Sequence, residues 1–391
     1  MSTIFDVARE AGVSITTVSH ALNGFSDVNE KTRQRIIEIA QALDYYPSAA
    51  ARSLQRRRTD TVAFAPLLRA HIESEPFFKE FLGLLTLSAF RHNLSLLATI
   101  AYTNTSSATH GTYRELAKSG RVDGIIVADI KPEDERISLL QSLDIPFVAF
   151  GRTADYENLY YPLVDVDSSA GIRTVIDYLV GKGHRRIAYL SGPLNTSYSL
   201  YRYGGYFEGL KNHGLPVDER LVIADLQEQS NSAEAVAHLL SLDGDNNGPV
   251  DGPSSMRPTA IVTSNDQLAL QVIQELRERG IAVGSDSGAG ADAIAVTGFD
   301  DLPFAAYIST PLTTVRQPIA ALAELLLDLL VSIIKSRAES KKKGSPAAGT
   351  GAAEQGRHFG AGSRQNLSVP VNRIGPVQAL VEPELVVRSS A

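Results

Sequence analysis

From Thr61 onward the chain alternates short β-rich runs with helical stretches, and that alternation restricts the fold more than any other feature. Strand candidates fall at 61–65, 94–101, 124–128 and 146–150, then at 186–190, 259–263, 294–298 and 312–315. Helical segments such as 77–91, 170–182, 268–279 and 319–335 lie between them. This pattern predicts an α/β fold with parallel sheets covered on both faces. Two such lobes joined by crossovers make a hinged clamp, with a ligand site at the carboxyl ends of the strands. At 391 residues the chain has room for two or three domains, and 43% hydrophobic residues exclude a wholly disordered one.

The first 47 residues follow a helical period instead. Thr3 is an N-cap with Asp6 as its capping-box partner, and Ile4, Val7, Ala8 and Ala11 form one stripe. Gly12-Val13 breaks that helix. Ser14 caps a second over 16–23, with Val18 and Leu22 inward and Ile15, Thr16, Ser19 and His20 largely outward. Asn29 caps a third, with Ile36, Ala40 and Leu43 inside, ending before Pro47. Two short helices about a glycine turn, supported by a third, form a helix-turn-helix, although the spacing alone also fits any small helical bundle. Charge separates this head from the rest. The net charge is −7, yet residues 1–58 carry +2 and the remainder −9, and four of the head's eight basic residues fall between Arg52 and Arg58. Such a head suits an anionic partner that the acidic body does not.

Specific strings decide between the two helical readings. Thr3-Ile-Phe-Asp-Val-Ala-Arg-Glu-Ala-Gly-Val-Ser and Thr17-Val-Ser-His-Ala-Leu-Asn23 closely resemble the N-terminus of the lactose/galactose-repressor (LacI/GalR) family of transcription factors. The likeness continues through Asn29-Glu-Lys-Thr-Arg and Leu43-Asp-Tyr-Tyr-Pro-Ser-Ala-Ala-Ala-Arg-Ser-Leu54. It implies that the second helix enters the major groove, with Ile15, Thr16 and His20 reading base edges and Ser14, Thr17 and Asn23 meeting phosphate. Many family members carry Arg where His20 stands; Arg grips guanine bidentately, whereas His makes one hydrogen bond to N7 or O6. The head is most similar to the purine-repressor branch, from which Ile15 departs. In residues 48–54 the family has a hinge that folds on DNA, two copies pairing in the minor groove. Ala51, Arg52 and Leu54 match it, Leu54 as the wedge that opens a central base step. The bland alternative is an interdomain linker whose Leu54 packs on the body.

The body resembles the same family through Gly181-Lys-Gly-His-Arg-Arg-Ile-Ala-Tyr-Leu-Ser-Gly-Pro193, Arg202-Tyr-Gly-Gly-Tyr-Phe-Glu-Gly-Leu210, Thr263-Ser-Asn-Asp266, Val296-Thr-Gly-Phe-Asp-Asp301 and Thr310-Pro-Leu-Thr-Thr-Val-Arg-Gln-Pro318. The resemblance implies a two-lobed, periplasmic-binding-protein-like effector domain. It assigns Arg202 and Asp266 to the ligand, a donor fork and a carboxylate that suit hydroxyls or a carboxylate. Phe77 and Phe78 match an aromatic wall, suited to the apolar face of a sugar or a base. Where the purine-binding branch stacks an aromatic, this chain has Leu226. That favours a sugar or sugar derivative over a purine as effector.

Three segments read as loops outside the core: 243–258, 285–292, and 336–376 with its run Lys341–Lys343. No reading of the chain supports an enzyme. There is no cysteine, no Walker or GxSxG string, and Gly288-Ala-Gly290 lacks the rest of a dinucleotide fingerprint. His71, Glu73 and Glu75 show no recognised metal-ligand spacing, so neither a metal nor a cofactor is expected. Asp165 and Asp167 alternate at a strand end, as caps rather than a catalytic pair. An exported solute-binding protein would share the body, but it needs a signal peptide and no DNA head, and the first 25 residues contain Asp6, Arg9 and Glu10 without an apolar core. The expectation is a cytoplasmic, homodimeric, ligand-responsive repressor of carbohydrate-utilisation genes that binds double-stranded operator DNA and no membrane. Its domains are a DNA-binding head at 1–47, a hinge and linker at 48–59, and a two-lobed effector and dimerisation domain at 60–391. A purine-responsive regulator of the same architecture is the alternative.

Overall fold

The computed structural model describes residues 2–46, 58–67, 76–101, 105–155, 159–226, 232–242, 256–284, 293–342, 371–375 and 378–391. The expected hinge, including Ala51, Arg52 and Leu54, lies outside them. So do His71, Glu73, Glu75, Gly288, Gly290 and all of 285–292. The chain forms two compact units, Met1–Thr61 with Gly120–Asp123, and Val62–Ser119 with Gly124–Ala391.

In the first unit, α1 (Ile4–Ala11), α2 (Ile15–Leu22) and α3 (Glu30–Ala42) surround one core. The Thr3 amide and hydroxyl both donate to the Asp6 carboxylate, Ser14 Oγ accepts from the Thr17 amide, and Asn29 Oδ1 from the Thr32 amide. All three starts are therefore capped by the residues expected of them. Gly12, at φ 64°, turns the chain between α1 and α2, a conformation that costs a glycine nothing. Val7, Ala8, Ala11, Val18, Ala21, Val28, Ile36 and Ala40 are buried together. Ile4, Leu22 and Leu43 pack on them from the rim.

The second unit holds two sheets. The first runs β11-β12-β5-β4-β3-β1-β2, from β1 (Thr61–Ala65), β2 (Ser95–Ala98), β3 (Gly124–Val127), β4 (Phe147–Phe150), β5 (Leu163–Val166), β11 (Val371–Gly375) and β12 (Gln378–Val381). The second runs β13-β10-β9-β8-β6-β7, from β6 (Ile187–Leu190), β7 (Val222–Ile223), β8 (Ala260–Thr263), β9 (Ala295–Asp300), β10 (Thr313–Arg316) and β13 (Glu384–Val386). Strands β1, β3, β4, β5 and β12 pair in parallel, as do β7, β6, β8, β9 and β10; β11 and β13 run antiparallel at the edges. Central strands such as β3 (GIIV) and β8 (AIVT) are buried at every position, as strands covered on both faces require. The covering helices are α4 (Pro76–Arg91), α5 (Ser106–Lys118), α6 (Glu135–Ser142), α7 (Ser168–Gly181), α8 (Ser197–Asn212), α9 (Ser232–Ser241), α10 (Asp266–Glu278) and α11 (Ile319–Lys342). The chain passes between the sheets three times, after β5, after β10 and after β12, so the two lobes share a three-stranded hinge region.

The segment read as a loop over 336–376 is partly regular. Helix α11 continues to Lys342, because Ser336-Arg-Ala-Glu-Ser-Lys-Lys contains no breaker before Gly344 and Pro346. Its Arg337 pairs with Asp144, and Ser340 Oγ donates to the Ser336 carbonyl. Residues 371–375 form strand β11, which finds a partner in β12 that lies close in sequence. Residues 343–370 and 243–255 lie outside the described ones. No helix among the described residues is long and apolar enough to cross a membrane.

Candidate functional site

On the head, α2 presents Ile15, Thr16 and His20 on its outer side while Val18 and Ala21 anchor it, so the predicted readers share one accessible face. Ser14 and Thr17 sit at its N-terminus with their hydroxyls 2.9 Å apart. Each hydroxyl has one proton, and their mutual bond uses one, leaving the other O–H for an outside acceptor. Asn23 is the C-cap at the other end of α2, its Nδ2 donating to the Ser19 carbonyl at 2.7 Å.

In the body, a cavity of about 110 Å³ opens between the lobes. Its lining residues come from the carboxyl ends of β1, β3, β4 and β5 in one lobe and of β8, β9 and β10 in the other. This is where a doubly wound sheet leaves backbone and side chains free to meet a ligand. The first lobe contributes an aromatic wall. Phe77 and Phe78 at the start of α4 line the cavity together with Phe64, Phe81 and Phe150, with Phe77 stacked 6.4 Å from Phe150 and Phe81 4.8 Å from it. Both predicted rings are thus in the cavity, and both also pack on the core beneath it.

Arg202 lies on α8 and is 5% exposed. Its guanidinium stacks 3.7 Å over the Phe299 ring and donates to the Ser264 carbonyl at 2.5 Å and to Asp300 Oδ1 at 3.2 Å. Its Nε is buried with no hydrogen-bond partner, as is Ser197 Oγ, also on the lining. Unsatisfied polar atoms of this kind are costly unless a ligand or water meets them. Gln317 donates to the same Asp300 oxygen at 2.6 Å. Burial pushes the Asp300 carboxyl above its ordinary range, and Arg202 pulls it back down.

Asp266 does not join this group. It is fully buried, Oδ2 accepting from the Leu302 amide at 2.7 Å and Oδ1 from the Thr314 hydroxyl at 2.5 Å, and it is not among the lining residues. A side chain on Gly298 would come within 2.2 Å of Asp266 Oδ1, so the glycine of Val296-Thr-Gly-Phe-Asp is what admits that carboxylate. The carboxylate that the second lobe turns to the cavity is Asp300, with its neighbour Asn265 from the end of β8. A usable signal was present in the sequence: Asp300 stands just past the predicted strand 294–298, where the switch-point rule puts ligand contacts.

Asp165 also proves to be more than a cap. Asp167 does cap α7, accepting from the Ala170 amide at 3.0 Å. Asp165 faces the cavity, 3.3 Å from Arg152 Nε, and burial pushes its carboxyl up to about 6 against the pull of that arginine. Arg152 in turn stacks 4.1 Å over Tyr201 of α8, whose hydroxyl donates to the Thr153 carbonyl at 2.7 Å. Together with the Ser197 amide donating to the Ile130 carbonyl, these contacts join the two lobes beside the cavity. Leu226 packs on the core of the second sheet and does not line the cavity.

Comparison with known proteins places both units. Residues 3–48 match the family model for bacterial regulatory proteins of the lacI family, and residues 176–348 that for a periplasmic binding protein-like domain. The chain is 30% identical to the HTH-type transcriptional repressor PurR of Vibrio atlanticus (strain LGP32), over 88% of this chain and 95% of that one. It is 30% identical to the ribose operon repressor of Escherichia coli (strain K12), over 85% and 92% respectively. Among solved structures, the complex of the transcriptional regulator CelR with cellobiose superposes with a TM-score of 0.64 at 25% identity, covering both chains completely.

Proposed function

This chain belongs to the lacI family of bacterial regulatory proteins, and from that premise we propose that it is a repressor whose hold on operator DNA is set by an uncharged sugar or sugar derivative bound between its lobes. The observation that carries the reading is the pairing of charges inside the cavity. Each lining arginine already faces an aspartate, Arg202 with Asp300 and Arg152 with Asp165, and Asp129 adds a third carboxylate. A phosphate or carboxylate ligand would have to displace those partners where both side chains of each pair are nearly buried, and an unpaired buried charge is expensive. Hydroxyl groups face no such conflict. They donate to Asp300 and Asp165, and they accept from Arg202 Nε, Gln317 and Ser197. The phenylalanine wall covers the apolar face of a pyranose or furanose ring. The ribose operon repressor and the CelR–cellobiose complex both carry a sugar in their names, which accords with this reading.

The ligand touches both lobes, so it favours whichever degree of closure brings Asp165 and the phenylalanines opposite Arg202 and Asp300. It can shift operator affinity only by its difference in affinity for the two states. The readout runs through the 48–59 hinge to a head at 1–47, in a homodimer acting in the cytoplasm on a two-fold operator. Ile15, Thr16 and His20 read base edges; Ser14, Thr17 and Asn23 meet phosphate; Ala51, Arg52 and Leu54 enter the minor groove. The effector contacts are Phe77, Phe78, Arg202 and Asp300, with Asp300 in the place first expected of Asp266. The effector domain spans 60–391.

Thermal-shift measurements on the purified chain against neutral sugars, sugar phosphates, nucleosides and purine bases test the ligand class. A ligand at a hundredfold excess over Kd stabilises by about 2.7 kcal/mol, well within reach of a Tm measurement. Stabilisation by a neutral sugar is expected. A response confined to sugar phosphates would contradict the charge argument, and one confined to purine bases would establish the purine-responsive alternative, with the phenylalanine wall as the stacking surface.

A further inference from the structure

The loop after the reading helix places a carboxylate on the reading histidine. Asp27 Oδ2 lies 2.5 Å from His20 Nδ1, and the Phe25 ring lies 4.8 Å from the imidazole at an interplanar angle of 34°. This is a held geometry rather than a chance approach of two surface groups. The Phe25 amide donates to the His20 carbonyl at 3.0 Å, and Arg33 Nη2 donates to the carbonyls of Phe25 at 2.7 Å and Val28 at 3.2 Å. Val28 is buried in the head's core. The backbone that carries Asp27 is therefore held from both sides in sequence, by a residue bonded to α2 and by one anchored under α3, and it delivers the carboxylate to His20.

From this geometry we infer that Asp27 sets the tautomer of His20 and thereby the base that the reading helix accepts. An ionised carboxylate has no proton to give, so Nδ1 must carry the hydrogen that bridges the pair. In the neutral ring, Nε2 is then left with a lone pair alone. Guanine shows the major groove two acceptors, N7 and O6, and thymine shows O4, so none of these can bond to that nitrogen. The amino groups of adenine N6 and cytosine N4 can. A histidine without such a partner would turn its Nε2–H toward guanine; Asp27 reverses that preference while touching no base itself. The inference rests on His20 being a base reader, as proposed above.

The experiment is selection of binding sites by the full chain from a duplex library randomised across both half-sites. It is run at pH 8.5, above the ordinary titration range of histidine. The native chain, His20→Ala, Asp27→Ala and Asp27→Asn are compared. At one position of each half-site the native chain should favour adenine or cytosine over guanine by about threefold to tenfold, the discrimination one hydrogen bond supplies. His20→Ala should erase the preference at that position and leave the others. Asp27→Ala should keep the other positions but bring guanine to within about twofold of adenine and cytosine there. Asp27→Asn can meet Nδ1 with either its oxygen or its amide nitrogen, so it should give the same relaxed profile even if the alanine variant folds poorly. Enrichment of guanine by the native chain at the His20-dependent position overturns the inference, as does an unrelaxed preference in the Asp27 variants. An unchanged profile for His20→Ala would instead remove His20 as a base reader, and the inference with it.

Discussion

Asp300 and Asp301 both sit at positive φ, 117° and 52°, where a residue with a side chain is strained by roughly 1–3 kcal/mol. The strain accompanies a crowded group of carboxylates. Asp266 lies beneath them, and its pKa is pushed up to about 8, by burial first and then by repulsion from Asp300, against the hydrogen bonds from Thr314 and Leu302. An acid with a raised folded-state pKa keeps a proton that the unfolded chain releases. It therefore lends stability at low pH that is lost as pH climbs from the ordinary 3.8 toward about 8. Asp266→Asn, which does not titrate, should gain in Tm relative to the native chain between pH 5 and pH 8. A Tm difference that stays flat across that range would show that Asp266 is not held protonated. The same residues show what could be read in advance. The string Thr263-Ser-Asn-Asp266 was visible, but which of its polar side chains faces the cavity depends on the crossing of β8 and β9, which spacing does not report.

At the level of elements, α7 and α8 lie so close that a side chain on Gly205 would come within 2.6 Å of the Ser169 carbonyl oxygen. Backbone cannot yield as a flexible side chain does, so α8 must move if that position is enlarged. Arg202 is three residues away on the same helix and its guanidinium is fixed by Ser264, Phe299 and Asp300. Gly205→Ala should therefore cost about 1–3 kcal/mol of stability and weaken ligand binding as well. Denaturant unfolding and ligand titration check the two effects; a variant with native values in both would mean that the helix contact does not position Arg202. Helices and buried strands were the most legible elements. Strong apolar runs such as 124–128 and 259–263, and caps at Thr3, Ser14 and Asn29, announce themselves through short-range chemistry. Strand β5 (LVDV) showed only its end, in the alternation of Asp165 and Asp167, since Asp165 breaks the apolar run, and that aspartate is there because it belongs to the cavity. Strand β11 was hidden by composition: a five-residue run beside Gly- and Ser-rich sequence becomes a strand because β12 completes it.

Over the whole molecule, the alternation of strands and helices and the separate period of the head foretold both units. What it could not supply is how charge is distributed inside the cavity, because Arg152 pairs with Asp165 in one lobe and Arg202 with Asp300 in the other, and the two pairs line one cavity only after both sheets are built. The account depends on that meeting: a ligand held by Asp300 opposite the aromatic wall must change the grip on DNA. The direct measurement is operator affinity of the full chain, with and without a neutral sugar that raises its Tm, for the native protein and for Asp300→Asn. Allosteric coupling of the ordinary size would change the native operator Kd by about 5–150-fold on adding the sugar. The variant should match the ligand-free native Kd and show no change with sugar. A variant that still responds as the native chain does would contradict the account.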